Sequence, residues 1–247
     1  MSMTIPRLGA PSARTLTLRS DDLPTRRYRC LWLDLGGTVS ETERPLPALP
    51  LLDAAHGGFA RGALIETPRG PTAIEDLVPG DRVSTAGQGA LPVLWIGSTT
   101  LHPESDTPTP LTRIMADAYG IGRPFADLMM GPGARLMARP RSLRARIGPE
   151  RVLTPAHALA DGMTAFRLTP RQPVTLYHIA LRRHAVITVN GIETESFHPG
   201  AGFERSLEPA TLRQVMSAFP HIAAPQDFGP LAQMRLPLDA PELADLV

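Results

Sequence analysis

Apolar and polar residues alternate with a period of two along much of the chain, in short runs. Ala63–Thr67 (ALIET), Arg82–Thr85 (RVST), Leu91–Ile96 (LPVLWI), Val174–Leu181 (VTLYHIAL) and Ala185–Val189 (AVITV) each read as strands. Successive strand side chains point to opposite faces, so alternation marks a strand with one buried face. Turn chemistry separates the runs: Pro68-Arg69-Gly70, which joins Ala63–Thr67 to Pro71–Ile74 as a hairpin, then Pro79-Gly80, Gly87–Gly89 and Asn190-Gly191. Arg14–Leu18 (RTLTL) and Tyr28–Leu35 (YRCLWLDL) predict two further strands, the second closed by Gly36-Gly37. Helical periodicity is clear only at Thr211–Phe219, stopped by Pro220. Short strands at close spacing predict a mainly all-β body with short helices and one C-terminal helix.

Three regions follow. Residues 1–57 open with a polar arm and hold a β segment. They end in a proline-rich connector, Glu43–Gly58, whose last part reads as one or two helical turns before the Gly57-Gly58 break. Residues 58–200 carry most of the strands, with a loop at His102–Pro110 and a mixed stretch at 112–151. Residues 201–247 hold the C-terminal helix and a proline-punctuated tail, 224–247, expected to pack only in part.

Composition narrows the chemistry. The formal net charge is +1, so charge does not announce a nucleic-acid or membrane partner. All 25 lysine-plus-arginine positions are arginine, which excludes a lysine Schiff base and a P-loop lysine. Cys30 is the single cysteine, so an intramolecular disulfide and a multi-cysteine zinc site are excluded. No secretory h-region opens the chain and no apolar run approaches the ~18 residues of a membrane span. The expectation is a reducing, cytoplasmic setting, although export without a signal leaves no mark in a sequence.

The stretches "FARGALIETPRGPTAIEDLVPGDRV", "VLWIGS" and "YHIALRRHAVITVNGIETESFHPG", in that order between Gly58 and Gly200, resemble the Hint domain. This is the Hedgehog/intein-type autoprocessing module, here in its bacterial branch. The resemblance implies a flattened, horseshoe-like β body with its two ends close together at the active site. In active relatives a Cys or Ser directly before the Phe of the opening motif attacks the preceding carbonyl, and a downstream histidine protonates the departing amide. That chemistry needs a thiol or hydroxyl nucleophile and a positioned acid.

Gly58 stands at the nucleophile position, before Phe59, and has no side chain to attack with. The helper histidine has two possible registers. One sets Thr154-Pro155-Ala156-His157 on the family's Thr-x-x-His block. The other sets "DLMMGPGARLM" on an Asp-Leu-apolar run followed by Ser-Pro-x-His-Arg. Pro132 and Arg135 then keep their places and Ala134 replaces the histidine. The second fits both flanks and is preferred; nucleophile and acid are then both gone, as expected when one half of a cooperating pair loses its use. His178 and His184 stand where the family pattern has histidines. Asn190 reads as a hairpin-turn residue, not a cyclising asparagine, and 56 residues follow Gly191, which argues against full splicing.

Other residues have ordinary readings. His56 is expected to cap a helix or face solvent, Cys30 to be a small buried hydrophobe, and His178 to hydrogen-bond backbone across the sheet. A metal held by His178 and His184 with His157 or His198 lacks a carboxylate or cysteine at ligand spacing, so no metal and no cofactor are expected. Arg135, Arg139, Arg141, Arg144, Arg146 and Arg151 cluster around a short helix expected at Ser142–Ile147. Without interleaved aromatics they read as a solvated face. In Glu195-Ser196-Phe197-His198, neighbours point to opposite faces, so no hydrolase triad arises by proximity.

The sequence therefore predicts a degenerate Hint domain that acts as a scaffold or interaction module for a protein partner. One alternative is self-cleavage near Gly57-Gly58, by water assisted by His157. The other is binding of an anionic polymer or nucleic acid through the arginine face.

Overall fold

The computed structural model describes residues 24–34, 36–104, 108–139 and 151–236. The strand expected at Arg14–Leu18, the helix expected at Ser142–Ile147 with Arg141, Arg144 and Arg146, and the tail beyond Leu236 lie outside the described residues.

The N-terminal region forms a hairpin of β1 (Thr25–Leu33) and β2 (Val39–Pro47), then helix α1 (Pro50–His56). β2 takes in Glu43–Pro47, which the sequence assigned to a connector. Its prolines are tolerated because, among the described residues, β2 pairs with β1 alone, so one edge needs no N–H donors. α1 begins with Pro50 in its first turn, where the missing N–H costs nothing.

The strands that follow are β3 (Phe59–Ala60), β4 (Leu64–Ile65), β5 (Thr72–Ala73), β6 (Arg82–Thr85), β7 (Gly89–Leu101), β8 (Leu111–Ile114), β9 (Leu128–Met130) and β10 (Arg135–Ala138). Then come β11 (Val152–Pro155), β12 (Ala165–Leu168), β13 (Val174–Leu181), β14 (Val186–Val189) and β15 (Ile192–Glu195). The fold is mostly β, in an open sheet that does not close into a barrel. The hairpin expected around Pro68-Arg69-Gly70 is present as β4–β5. In the β14–β15 turn Asn190 and Gly191 have φ of 47° and 82°, the left-handed pair that such a hairpin turn demands.

The long strand β7 joins the two parts of the sheet. Its first part pairs with β6, with Leu91 opposite Val83. Its second part lies between β1 and β13, so that Gly97 faces Cys30 on one side and His178 on the other. The N-terminal hairpin is thus hydrogen-bonded into the same sheet as the strands after Gly58. Helix α2 (Pro209–Met216) starts two residues earlier and ends three earlier than the periodicity suggested, because Ser217–Phe219 continue as turns.

Two cores result. One gathers Phe59, Ile96, Ile114, Met130, Ile179 and Ile187 between the sheet faces. The other packs the N- and C-terminal regions together around Trp95, with Tyr28, Leu52, Phe197, Val215 and Phe219. The described part of the C-terminal tail is fixed to the sheet. Residues 229–236 form a strap along β11: Leu153 N–H donates to the Met234 carbonyl at 2.8 Å and Leu236 N–H to the Leu153 carbonyl at 2.9 Å.

Candidate functional site at the Gly57–Gly58 junction

α1 delivers the chain into β3 through Gly57 and Gly58, and three backbone hydrogen bonds hold this junction. Gly57 carbonyl accepts the Gly133 N–H at 2.9 Å, Gly58 carbonyl accepts the Gly131 N–H at 2.8 Å, and Gly58 N–H donates to the Tyr177 carbonyl at 3.0 Å. The junction therefore lies against the 131–134 loop, which ends in Ala134. Such proximity needs glycine throughout. A Cβ on Gly131 would overlap the Gly57 carbonyl, one on Gly133 would overlap the Ala54 carbonyl, and one on Gly57 would come within 2.5 Å of the Asp53 carbonyl.

His178 closes the other side of Gly58. A Cβ on Gly58 would lie 2.7 Å from both Cγ and Cδ2 of the His178 ring and 3.0 Å from the Tyr177 carbonyl. His178 is fully buried and sits edge-on to Phe59 at 5.5 Å and Phe197 at 5.6 Å. Nδ1 accepts the N–H of its own neighbour, Ile179, at 3.1 Å, and buried Nε2 completes no hydrogen bond of full geometry among the described residues, although the Gly133 backbone acts on the ring as an acceptor would. Burial pushes the ring's pKa down to about 4, so the imidazole is neutral at neutral pH.

His56, expected to cap or face solvent, is fully buried. It does cap, from inside: its Nδ1 donates to the Leu52 carbonyl at 2.8 Å, which leaves Nε2 as an acceptor 3.3 Å from Cys30 Sγ. Gly97 makes the room, since a Cβ there would sit 2.8 Å from His56 Cδ2. Burial pushes His56 down to about 4 and the Cys30 thiol up to about 12. Cys30 also lies 3.2 Å from the Ala218 carbonyl, which accepts the Trp95 indole N–H as well. The only thiol is thus buried, protonated and tied to the C-terminal region.

The remaining predicted residues divide. Ala134 is buried beside the junction; its N–H donates to the Gly131 carbonyl at 3.2 Å and its carbonyl accepts the Ala156 N–H at 3.0 Å. Thr154 is buried in β11 opposite Leu136. His157 is half-buried on a 3-10 turn, Ala156–Leu159; burial, then Arg167 and Arg135, hold its pKa below the usual range. No hydrogen bond among the described residues joins His157 to Gly57, Gly58 or His178.

His184 belongs to a separate cluster. Its Nε2 donates to Glu195 Oε2 at 3.0 Å while its Nδ1 accepts the Ala232 N–H at 2.9 Å. Glu195 also accepts from Arg235 Nε at 2.9 Å, and Arg135 Nε stands 3.6 Å away. His198 Nε2 donates to the Gly229 carbonyl at 3.0 Å. These histidines and Glu195 fasten the strap. Sequence reasoning assigned Glu195 no role and treated Arg235 as tail. No group of three or more metal-binding side chains converges among the described residues.

Residues 57–201, more than half of the 247, match the family model of the Hint domain, and the chain belongs to that family. Among solved structures it resembles the solution structure of a bacterial intein-like domain from Clostridium thermocellum. That likeness has 14% identity and a TM-score of 0.41, and covers 57% of this chain and 99% of that one. No curated protein matches the chain.

Proposed function

We propose that this Hint domain does not process itself at Gly57–Gly58 and serves as a rigid scaffold that engages a protein partner. The observation that carries the reading is the fit of Gly58 against His178. The space that a nucleophilic side chain would need is filled by a buried imidazole. The surrounding chemistry agrees. Acyl transfer needs an activated thiol or hydroxyl and an acid with a proton to give. Cys30 is held protonated by burial, and His56 and His178 are held neutral. Ala134 offers a methyl group on the side of the 131–134 loop. The water route aided by His157 draws no support from the hydrogen bonds around the junction.

The test is to supply the missing group. Gly58→Cys is expected to be less stable and uncleaved. Gly58→Cys combined with His178→Ala, which gives the thiol room, is expected to fold and keep a single intact mass with or without added thiol. Rapid cleavage before residue 58 in either variant would show a complete processing site lacking only its nucleophile, contrary to this reading.

A further inference from the structure

Among the described residues β11 pairs as a strand with β10 alone, so its other edge is the end of the sheet. The strap takes that edge. Arg235 makes a parallel bridge to Leu153, flanked by the two bonds that join Leu153 to Met234 and Leu236. Of residues 230–236 only Leu236 is buried, and Met234 is 56% exposed. Packing therefore does little to hold the strap. Main-chain bonds to a sheet edge and recognition of one charged side chain hold it instead, as they hold a peptide that adds a strand to a domain.

The groups that receive the strap belong to other elements. Glu195 ends β15, Arg135 opens β10 and His184 precedes β14. The His184–Glu195 bond and the approach of Arg135 to Glu195 do not involve the strap. The carboxylate thus keeps a hydrogen bond and a counter-charge when Arg235 leaves, and stays ready for another guanidinium. The His198 carbonyl takes Arg235 Nη2 at 2.8 Å, and Arg135 Nη1 donates to the Leu236 carbonyl at 2.7 Å. Upstream the chain is anchored by Phe228, edge-on to Phe219 at 5.2 Å. Gly229, the next residue, has φ of 73° and nothing within 4 Å of where a Cβ would stand. Rotation at Gly229 releases residues 230–236 and leaves the Trp95 core as it is.

We propose that the β11 edge with Glu195 is a strand-addition site for an extended, arginine-bearing segment of a partner protein, and that residues 230–236 are its internal occupant. The partner's segment runs parallel to β11, bonds Leu153 as Met234 and Leu236 do, sets its arginine on Glu195 and buries the aliphatic residue that follows. The strap itself identifies the occupant, since it shows the backbone direction, the charge and the neighbouring side chain that the site accepts. A tethered segment competes at an effective concentration on the order of millimolar, so only a segment that binds better displaces it. Until then the edge is covered and closed to unwanted pairing. The inference deepens the scaffold reading and rests on it for the occupant's being a protein. Cleavage in the Gly58 variants would defeat that reading and leave binding at β11 untouched, so the two failures are told apart.

Fluorescence anisotropy of the full chain with a labelled peptide of the strap sequence, GPLAQMRL, tests it. In Arg235→Ala, whose own strap has lost its hold on Glu195, the peptide should bind at least about tenfold tighter than to the wild type. A peptide with alanine in place of Leu231, Gln233 and Met234 should bind within about threefold of it, because main-chain bonds and the arginine carry the affinity. Replacing the peptide's arginine by alanine should abolish binding, as should Glu195→Gln in the Arg235→Ala chain. The wild type gives a reading free of any substitution. There, millimolar peptide should speed hydrogen exchange at the chain's own Leu236 amide while the Leu153 amide stays protected. A peptide that binds neither chain, that binds equally well without its arginine, or that leaves exchange at Leu236 unchanged would overturn the inference.

Discussion

Gly58 and His178 occupy one space: the glycine has no Cβ, and the ring stands where a Cβ would come within 2.7 Å of it. Adding a methyl to such a site forces ring or backbone to move, and overpacking of this kind typically costs about 1–3 kcal/mol. Gly58→Ala should lower the urea midpoint by a corresponding amount without changing the slope. In His178→Ala, which opens the space, the same change should cost much less, a coupling that a double-mutant cycle reads directly. Equal costs in both backgrounds would mean that the two residues do not compete.

Acid should destabilise the protein below the range of ordinary histidines. Burial pushes His56 and His178 from 6.5 down to about 4, so between these values the unfolded chain binds more protons than the folded one. Stability then rises with pH across that window and levels off above it, by up to about 1.4 kcal/mol per pH unit for each group. Glu195 acts in the same direction. Burial raises its pKa, but the His184 hydrogen bond and the Arg235 charge outweigh burial and hold it below the usual carboxylate value. Its contribution is complete above the unfolded carboxylate range and is lost as pH falls through its folded pKa. Thermal unfolding from pH 4 to pH 8 checks both; a flat profile below pH 6.5 would contradict them.

Glu195 should matter more than any other single residue for holding the strap. Its side chain is 2% exposed, and Arg235 and Arg135 beside it are 14% and 16% exposed. Removing one partner of a buried ion pair leaves the others uncompensated and costs about 3–5 kcal/mol. Glu195→Ala should therefore lose stability on that scale and make residues 229–236 a site of limited proteolysis. Arg235→Ala leaves Glu195 with His184 and Arg135 and should lose less.

Cys30 should resist alkylation in the native state at neutral pH. Its thiol is buried, pushed up to about 12, and bonded near the Ala218 carbonyl. Iodoacetamide should add one label only after denaturant unfolds the chain. Rapid labelling of the native protein would show the Trp95 core to be open.

The sequence disclosed what is local. The β14–β15 hairpin follows from alternation and from Asn190-Gly191, and the β13 run was read with its observed bounds. What it hid are relations between distant residues. Nothing near Gly58 in sequence says that His178 fills its side-chain space. Arg235 lies 40 residues from the Glu195 it clasps. The burial of His56, read as a capping or solvent-facing histidine, was hidden because its surroundings come from Cys30, Trp95 and Gly97, on strands that meet it only after the sheet has formed. Glu43–Pro47 read as a connector because prolines suppress strand signals, and an edge beside β1 accommodates them.

The central claim is that the Gly57–Gly58 junction is chemically silent, and the intact mass of the full-length protein tests it most directly. The chain, tagged at both ends, would be held at neutral pH for a day with and without thiol and weighed by mass spectrometry. The account predicts one unchanging mass under both conditions. A pair of fragments split near Gly58 would contradict it, and would mean that a nucleophile reaches this junction despite the packing around it.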